Sequence, residues 1–145
     1  MELYTESPYE TQEFGRTFAT SLKGGEILAL RGELGSGKTT FVQGLAIGLG
    51  IKDRVISPSF ILMRKYTPKN IKHSVKINLY HIDLYRLDEI SSDEINNLGI
   101  NDLWRDKENI VIIEWAEKIS KIIPKSAIWI VFEVVNDTKR KIVVS

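Results

Sequence analysis

Cysteine is absent from the 145 residues, and histidine occurs only twice. That excludes disulfides, thiol nucleophiles and thiolate metal sites together. No group of histidines and carboxylates has the spacing of a zinc site, and no serine triad suggests itself. A chain without cysteine suits a reducing compartment, so a cytoplasmic protein is expected. The first ten residues have neither a basic start nor an apolar stretch, so no secretory signal is expected. The longest apolar run, residues 127–132, falls far short of the ~20 residues of a spanning helix. No membrane partner is expected.

Charge of one sign is also missing. Twenty basic and nineteen acidic residues leave a net charge of +1, so no global field attracts nucleic acid or a membrane. Proline (four residues) and glycine (ten residues) are too few for a linker, and no low-complexity segment or repeat appears. Hydrophobic residues make up 43% and charged residues 27%, an ordinary globular balance. The length fits one domain by the rule of ~100–200 residues per domain, so residues 1–145 are expected to form a single unit.

Phe14, Phe18 and Leu22 form an apolar stripe at helical spacing, stopped by Gly24 and Gly25. Residues 27–30 read as a buried strand, residues 32–37 as a glycine-rich turn, and residues 39–49 as a helix ended by Gly50. Strand, glycine turn and helix make half of a parallel α/β unit. Residues 59–66 and 75–84 look extended around residues 68–70, which predicts a long β-hairpin. Residues 92–104 look helical with a break at Gly99. Residues 109–114 carry a continuous apolar run typical of a central strand. Residues 115–123 read as a short helix closed by Pro124. Residues 127–135 and 139–144 read as two strands about an Asn136-Asp137 turn. The expected fold is a three-layer α/β P-loop NTPase domain. Its mostly parallel central sheet is extended at one end by the long hairpin.

Gly32-Glu33-Leu34-Gly35-Ser36-Gly37-Lys38-Thr39 fits the P-loop pattern of two fixed glycines, a lysine and a hydroxyl. Glycines let the backbone wrap phosphate oxygens with its N–H groups. The following helix adds its positive end. Lys38 supplies a charge at the terminal phosphates, and the Thr39 hydroxyl is a hard oxygen suited to magnesium. ATP and magnesium are therefore the expected cofactors.

Phosphoryl transfer also needs an acid for the metal or the attacking water. Glu114 ends the apolar strand, and ligands of open α/β sheets bind at that end. Asp83 lies among apolar and aromatic neighbours, where a carboxylate is costly unless paired or metal-bound. Lys38, Asp83 and Glu114 are the catalytic candidates, and Thr39, Glu114 and Asp83 the metal candidates. Which acid ligates and which positions water stays open at this point. Ser57-Pro58-Ser59-Phe60 offers hydroxyls beside a rigid turn. His81 reads as a hydrogen-bonded structural residue rather than a base. Arg86 and Arg140 are candidate arginine fingers, with a partner in trans as the alternative.

Together these pieces resemble the bacterial TsaE ATPases of tRNA threonylcarbamoyladenosine biosynthesis. The resemblance lies in residues 32–40 (GELGSGKTT), 57–60 (SPSF), 81–86 (HIDLYR), 98–100 (LGI) and Glu114 with Trp115. It spans nearly the whole chain. Serine stands at position 59 where the family commonly has threonine, and the connection over residues 68–79 is longer than usual. The resemblance implies an accessory ATPase that resets a TsaB–TsaD complex. That complex threonylcarbamoylates adenosine 37 of tRNAs reading codons that begin with A, with ADP as a product of the ATPase. It implies that Glu33, Leu34, Gly35, Ser36, Gly37, Lys38, Thr39 and Thr40 hold the nucleotide phosphates. It also implies that Trp115 stands near the site and that Thr11 and Arg140 edge the base.

A basic run at Arg64, Lys65, Lys69, Lys72 and Lys76 suggests either a solvated face or a contact with tRNA or an acidic partner. Over residues 88–108 the balance reverses, with acids outnumbering bases. A small-molecule P-loop kinase is the main alternative reading, and a nucleotide-dependent switch protein is a third. No arginine-rich lid of the kind kinases use is visible. GTP specificity is not expected, because no Asn-Lys-x-Asp occurs.

Overall fold

The structure, a computed structural model, describes residues 1–58, 62–68, 77–89 and 92–145. The described strands form one seven-stranded sheet in the order β1-β7-β6-β2-β5-β4-β3. They are β1 (Glu2–Thr5), β2 (Ile27–Arg31), β3 (Met63–Tyr66), β4 (Asn78–Asp83), β5 (Asn109–Glu114), β6 (Ile128–Val134) and β7 (Arg140–Val144). The four central strands are parallel: β6 pairs with β2, β2 with β5, and β5 with β4. Both edges turn antiparallel, through β3 on one side and through β7 and β1 on the other.

Strand β5 is buried along its whole length and sorts its residues by parity. Ile110 and Ile112 join the core on one face. Val111 and Ile113 join the core on the other. The first face is covered by α1 (Pro8–Phe18) and α2 (Lys38–Gly48). There Phe41 is fully buried among Phe14, Phe18 and Phe132, with ring centroids 5.5–5.7 Å away. Aromatic pairs at such spacings contribute about 0.5–1.5 kcal/mol each beyond their buried area. This cluster seats α2 behind the glycine loop. The second face is covered by α3 (Ser92–Asn97), α4 (Ile100–Leu103) and a 3₁₀ turn at Ala116–Ile119. The three layers match the expected fold.

The predicted hairpin is β3–β4, and it does extend the sheet, with β4 inside the parallel block. Its connection, with Lys69, Lys72 and Lys76, lies outside the described residues, as do Ser59 and Phe60. Helix α1 stops at Phe18, and Leu22 follows a 3₁₀ turn in extended backbone. Gly99 separates α3 from α4, as expected. The predicted helix over 115–123 is instead the single 3₁₀ turn. Trp115 itself is left-handed, with φ 60°, so it cannot be a residue inside an α-helix. Strand β1 was not anticipated. Among the described residues, no helix is long and apolar enough to cross a membrane.

Candidate nucleotide site

Parity carries the site residues to one place. Glu114 follows Ile110 and Ile112 on the α1–α2 face of β5, and Asp83 follows Leu79 and His81 on the same face of β4. Asp83 and Glu114 are register partners at the last rung of these parallel strands. Both are nearly fully buried, at 3% and 2% exposure. Strand β2 ends beside them, and the chain leaves it through the glycine loop into α2. Gly37 caps that helix at φ 103°, backbone that L side chains rarely adopt. The first N–H groups of a helix lack intrahelical partners, and in this first turn the Thr39 side chain reaches Glu114 at the end of β5.

A cavity of about 640 Å³ opens at this point. Its lining includes the loop from Leu34 to Thr40, the acids Asp83 and Glu114, and Thr11, Trp115 and Arg140. Every candidate nucleotide residue lines it except Glu33, whose carbonyl accepts from Lys38. Arg86 lines it too. Sequence reasoning missed Pro8, Tyr85 and Thr138. Tyr85 lay inside a quoted motif, but nothing local marks Pro8 or Thr138.

Lys38 is 4% exposed. Its ammonium donates to the carbonyls of Gly32 and, at 3.0 Å, of Glu33. It also lies 4.2 Å from the Trp115 ring centroid. Burial pushes its pKa below the ordinary lysine value, while Glu114, Glu117 and Asp83 pull it back up. Thr39 Oγ1 donates to the Glu114 carboxylate, 3.0 and 3.2 Å from its two oxygens. His81 Nε2 lies 2.5 Å from Glu114 Oε2. Asp83 accepts from Ser57 Oγ at 2.6 Å and from the Tyr85 N–H at 2.9 Å.

Thr11 is buried and bonded to Thr5 Oγ1 at 2.7 Å, which ties α1 to β1. Arg140 spends its guanidinium on three carbonyls: Asn136, Lys139 and, at 3.0 Å, Gly35 of the loop. The Ser36 hydroxyl is buried inside the loop and has no hydrogen-bond partner among the described residues. Trp115 packs on Tyr85 at 5.3 Å between ring centroids.

Hard oxygens from Thr39, Asp83 and Glu114 suit magnesium, which keeps several waters and shares substrate phosphates rather than demanding a full protein cage. No group of three or more His, Cys, Asp or Glu among the described residues is arranged to hold a metal ion. The donor set fits a magnesium that arrives with phosphate.

Fold and site define an α/β domain whose glycine loop, lysine and paired acids converge at the carboxyl ends of parallel strands. Residues 5–142 match the family model described as "Threonylcarbamoyl adenosine biosynthesis protein TsaE". The chain belongs to the TsaE family. The tRNA threonylcarbamoyladenosine biosynthesis protein TsaE of Bacillus subtilis is 35% identical over 138 residues, covering 95% of this chain and 80% of that one. The protein of the same name from Treponema pallidum is 32% identical over 145 residues, all of both chains. A crystal structure of Bacillus subtilis YdiB superposes with a TM-score of 0.78 at 31% identity, over 98% of this chain and 82% of that one. The family's description places its members in threonylcarbamoyladenosine biosynthesis.

Proposed function

We propose that this chain binds ATP with magnesium and hydrolyses it to ADP. It would do so as the accessory ATPase of a TsaB–TsaD complex that threonylcarbamoylates adenosine 37 of tRNA. One arrangement supports the nucleotide chemistry. Asp83 and Glu114, paired at two strand ends, share a cavity with Lys38 and Thr39 of the glycine loop. Family membership supports the pathway. In this reading tRNA is the substrate of the complex rather than a direct ligand.

Magnesium, held by Thr39 and Glu114 with Asp83 beside them, would supply neutralising charge at the phosphates. The chain's own groups do the rest. Loop N–H groups cradle the phosphates and Lys38 swings from its carbonyl partners onto them. Asp83 is held by Ser57 and the Tyr85 N–H, so its carboxylate keeps a fixed orientation for a water molecule. Trp115 and Tyr85 wall the cavity and limit solvent around the phosphates.

The test is steady-state ATP hydrolysis with and without a TsaB–TsaD heterodimer. Slow turnover that rises with the heterodimer and vanishes in Lys38→Ala is expected. Turnover indifferent to the heterodimer would remove the partner role. A chain that binds no nucleotide would remove the ATPase reading as well.

A further inference from the structure

Among the described residues two side chains hold the Glu114 carboxylate, and one of them, Thr39, stands in the first turn of α2 behind the glycine loop. The other is His81, on the same face of β4 as Asp83 and fully buried. It is not among the residues lining the cavity. Its Nδ1 has no hydrogen-bond partner among the described residues. Buried polar groups are almost always paired, and among the described residues Glu114 is the one partner the imidazole has. A proton on Nε2 uses the single contact and leaves a lone pair, not a stranded N–H, at Nδ1.

We propose that His81 is a positioning residue for Glu114: its Nε2–H fixes Oε2, so that the carboxylate is presented to Thr39 and the cavity in one orientation. The inference rests on the reading of Glu114 as a magnesium ligand. A carboxylate that binds a cation works best when an outer hydrogen bond fixes its plane, and losing such a partner typically costs about 10–100-fold in metal affinity. Three residues from three elements then share the work. Strand β5 brings Glu114, α2 brings Thr39, and β4 brings His81.

The test compares His81→Gln, whose amide N–H can reach the Nε2 position, with His81→Phe, which fills the space without a donor. ADP binding is measured by calorimetry in EDTA and across a magnesium titration. All three proteins should bind ADP alike in EDTA. Wild type and His81→Gln should gain affinity at similar magnesium concentrations, and His81→Phe should need about 10–100-fold more. A Phe variant that responds to magnesium as wild type does would overturn the proposal. So would one that loses affinity equally with and without the metal, because that marks a structural role alone. A wild-type chain without any magnesium response would overturn the reading of Glu114 itself, and this inference with it. Nitrogen NMR of the wild-type chain gives a check without any variant, since it has only two histidines. The His81 proton should sit on Nε2 and shift on adding magnesium and ADP; a proton on Nδ1 alone sinks the idea.

Discussion

The hydroxyl of Thr39 donates to the carboxylate of Glu114, two groups 75 residues apart in sequence and 3.0 Å apart in space. The contact joins the start of α2 to the end of β5. It places both proposed magnesium ligands on one side of the cavity. Thr39→Ala removes a proposed ligand and a side-chain partner of a buried carboxylate. Magnesium-dependent ATP turnover should fall by at least about 10²-fold, the scale expected when a reacting group loses its placement. Thr39→Ser keeps the oxygen and should keep most of the activity. Equal turnover in the Ala variant and the wild type would remove Thr39 from the site.

Lys38 allows a prediction with a definite sign. Burial lowers its folded pKa below the usual lysine value. Between that lowered value and the ordinary one, the unfolded chain binds the proton and the folded chain does not. Stability contributed by this group therefore rises with pH across that alkaline window. Lys38→Met has no such proton. The melting temperature of wild type minus that of Lys38→Met should increase as pH climbs through the window. A difference that stays flat from neutral pH to above 10 would show that burial does not strain the ammonium.

The parts of this molecule that were legible in the sequence are those written within a few neighbouring residues. The glycine loop is fixed by its own spacing. The run Ile110 to Ile113 announces a strand buried on both faces, and Asn136-Asp137 announces the last hairpin. Strand β1 was not legible, because Glu2–Thr5 alternates weakly and finds its partner in β7, at the other end of the chain. The helix expected after Glu114 failed at Trp115. Its ring lies against Tyr85 and near the ammonium groups of Lys38 and Lys118, and its backbone is left-handed. Apolar spacing cannot reveal such a constraint. In the site, the acids were readable as strand-end carboxylates. The contacts His81 to Glu114 and Arg140 to Gly35 were not, because each depends on how distant strands register.

Arg140 reaches the loop through the Gly35 carbonyl while also holding the turn before β7. The resemblance to TsaE proteins suggests a residue at the base edge, and this geometry adds a second role, a clasp on the loop. The two roles separate experimentally. Arg140→Ala should weaken binding of ATP and of inorganic tripolyphosphate by a similar factor, about 3–10-fold for the loss of one or two exposed hydrogen bonds. Arg140→Lys should recover only part of it, since an ammonium cannot span carbonyls as the planar guanidinium does. A loss confined to ATP would mean that Arg140 acts on the base.

Helix α1 carries Thr11 to the cavity and lies directly against α2, with Gly44 at the contact. A Cβ placed on Gly44 would stand 1.9 Å from the Gln12 carbonyl oxygen, and the groups it meets are backbone. Gly44→Ala must therefore push the helices apart. The substitution gains about 1 kcal/mol of helix propensity. Overpacking a close contact typically costs 1–3 kcal/mol and occasionally more, and a clash with backbone belongs at the upper end of that range. The net loss should be about 1–2 kcal/mol, which lowers the melting temperature by roughly 2–8 °C for a chain of this size. Because α1 also sets Thr11, nucleotide affinity should fall alongside stability. A Gly44→Ala variant with unchanged melting temperature and unchanged nucleotide affinity would show that α1 can shift without cost, and that its close approach to α2 does not define the cavity wall.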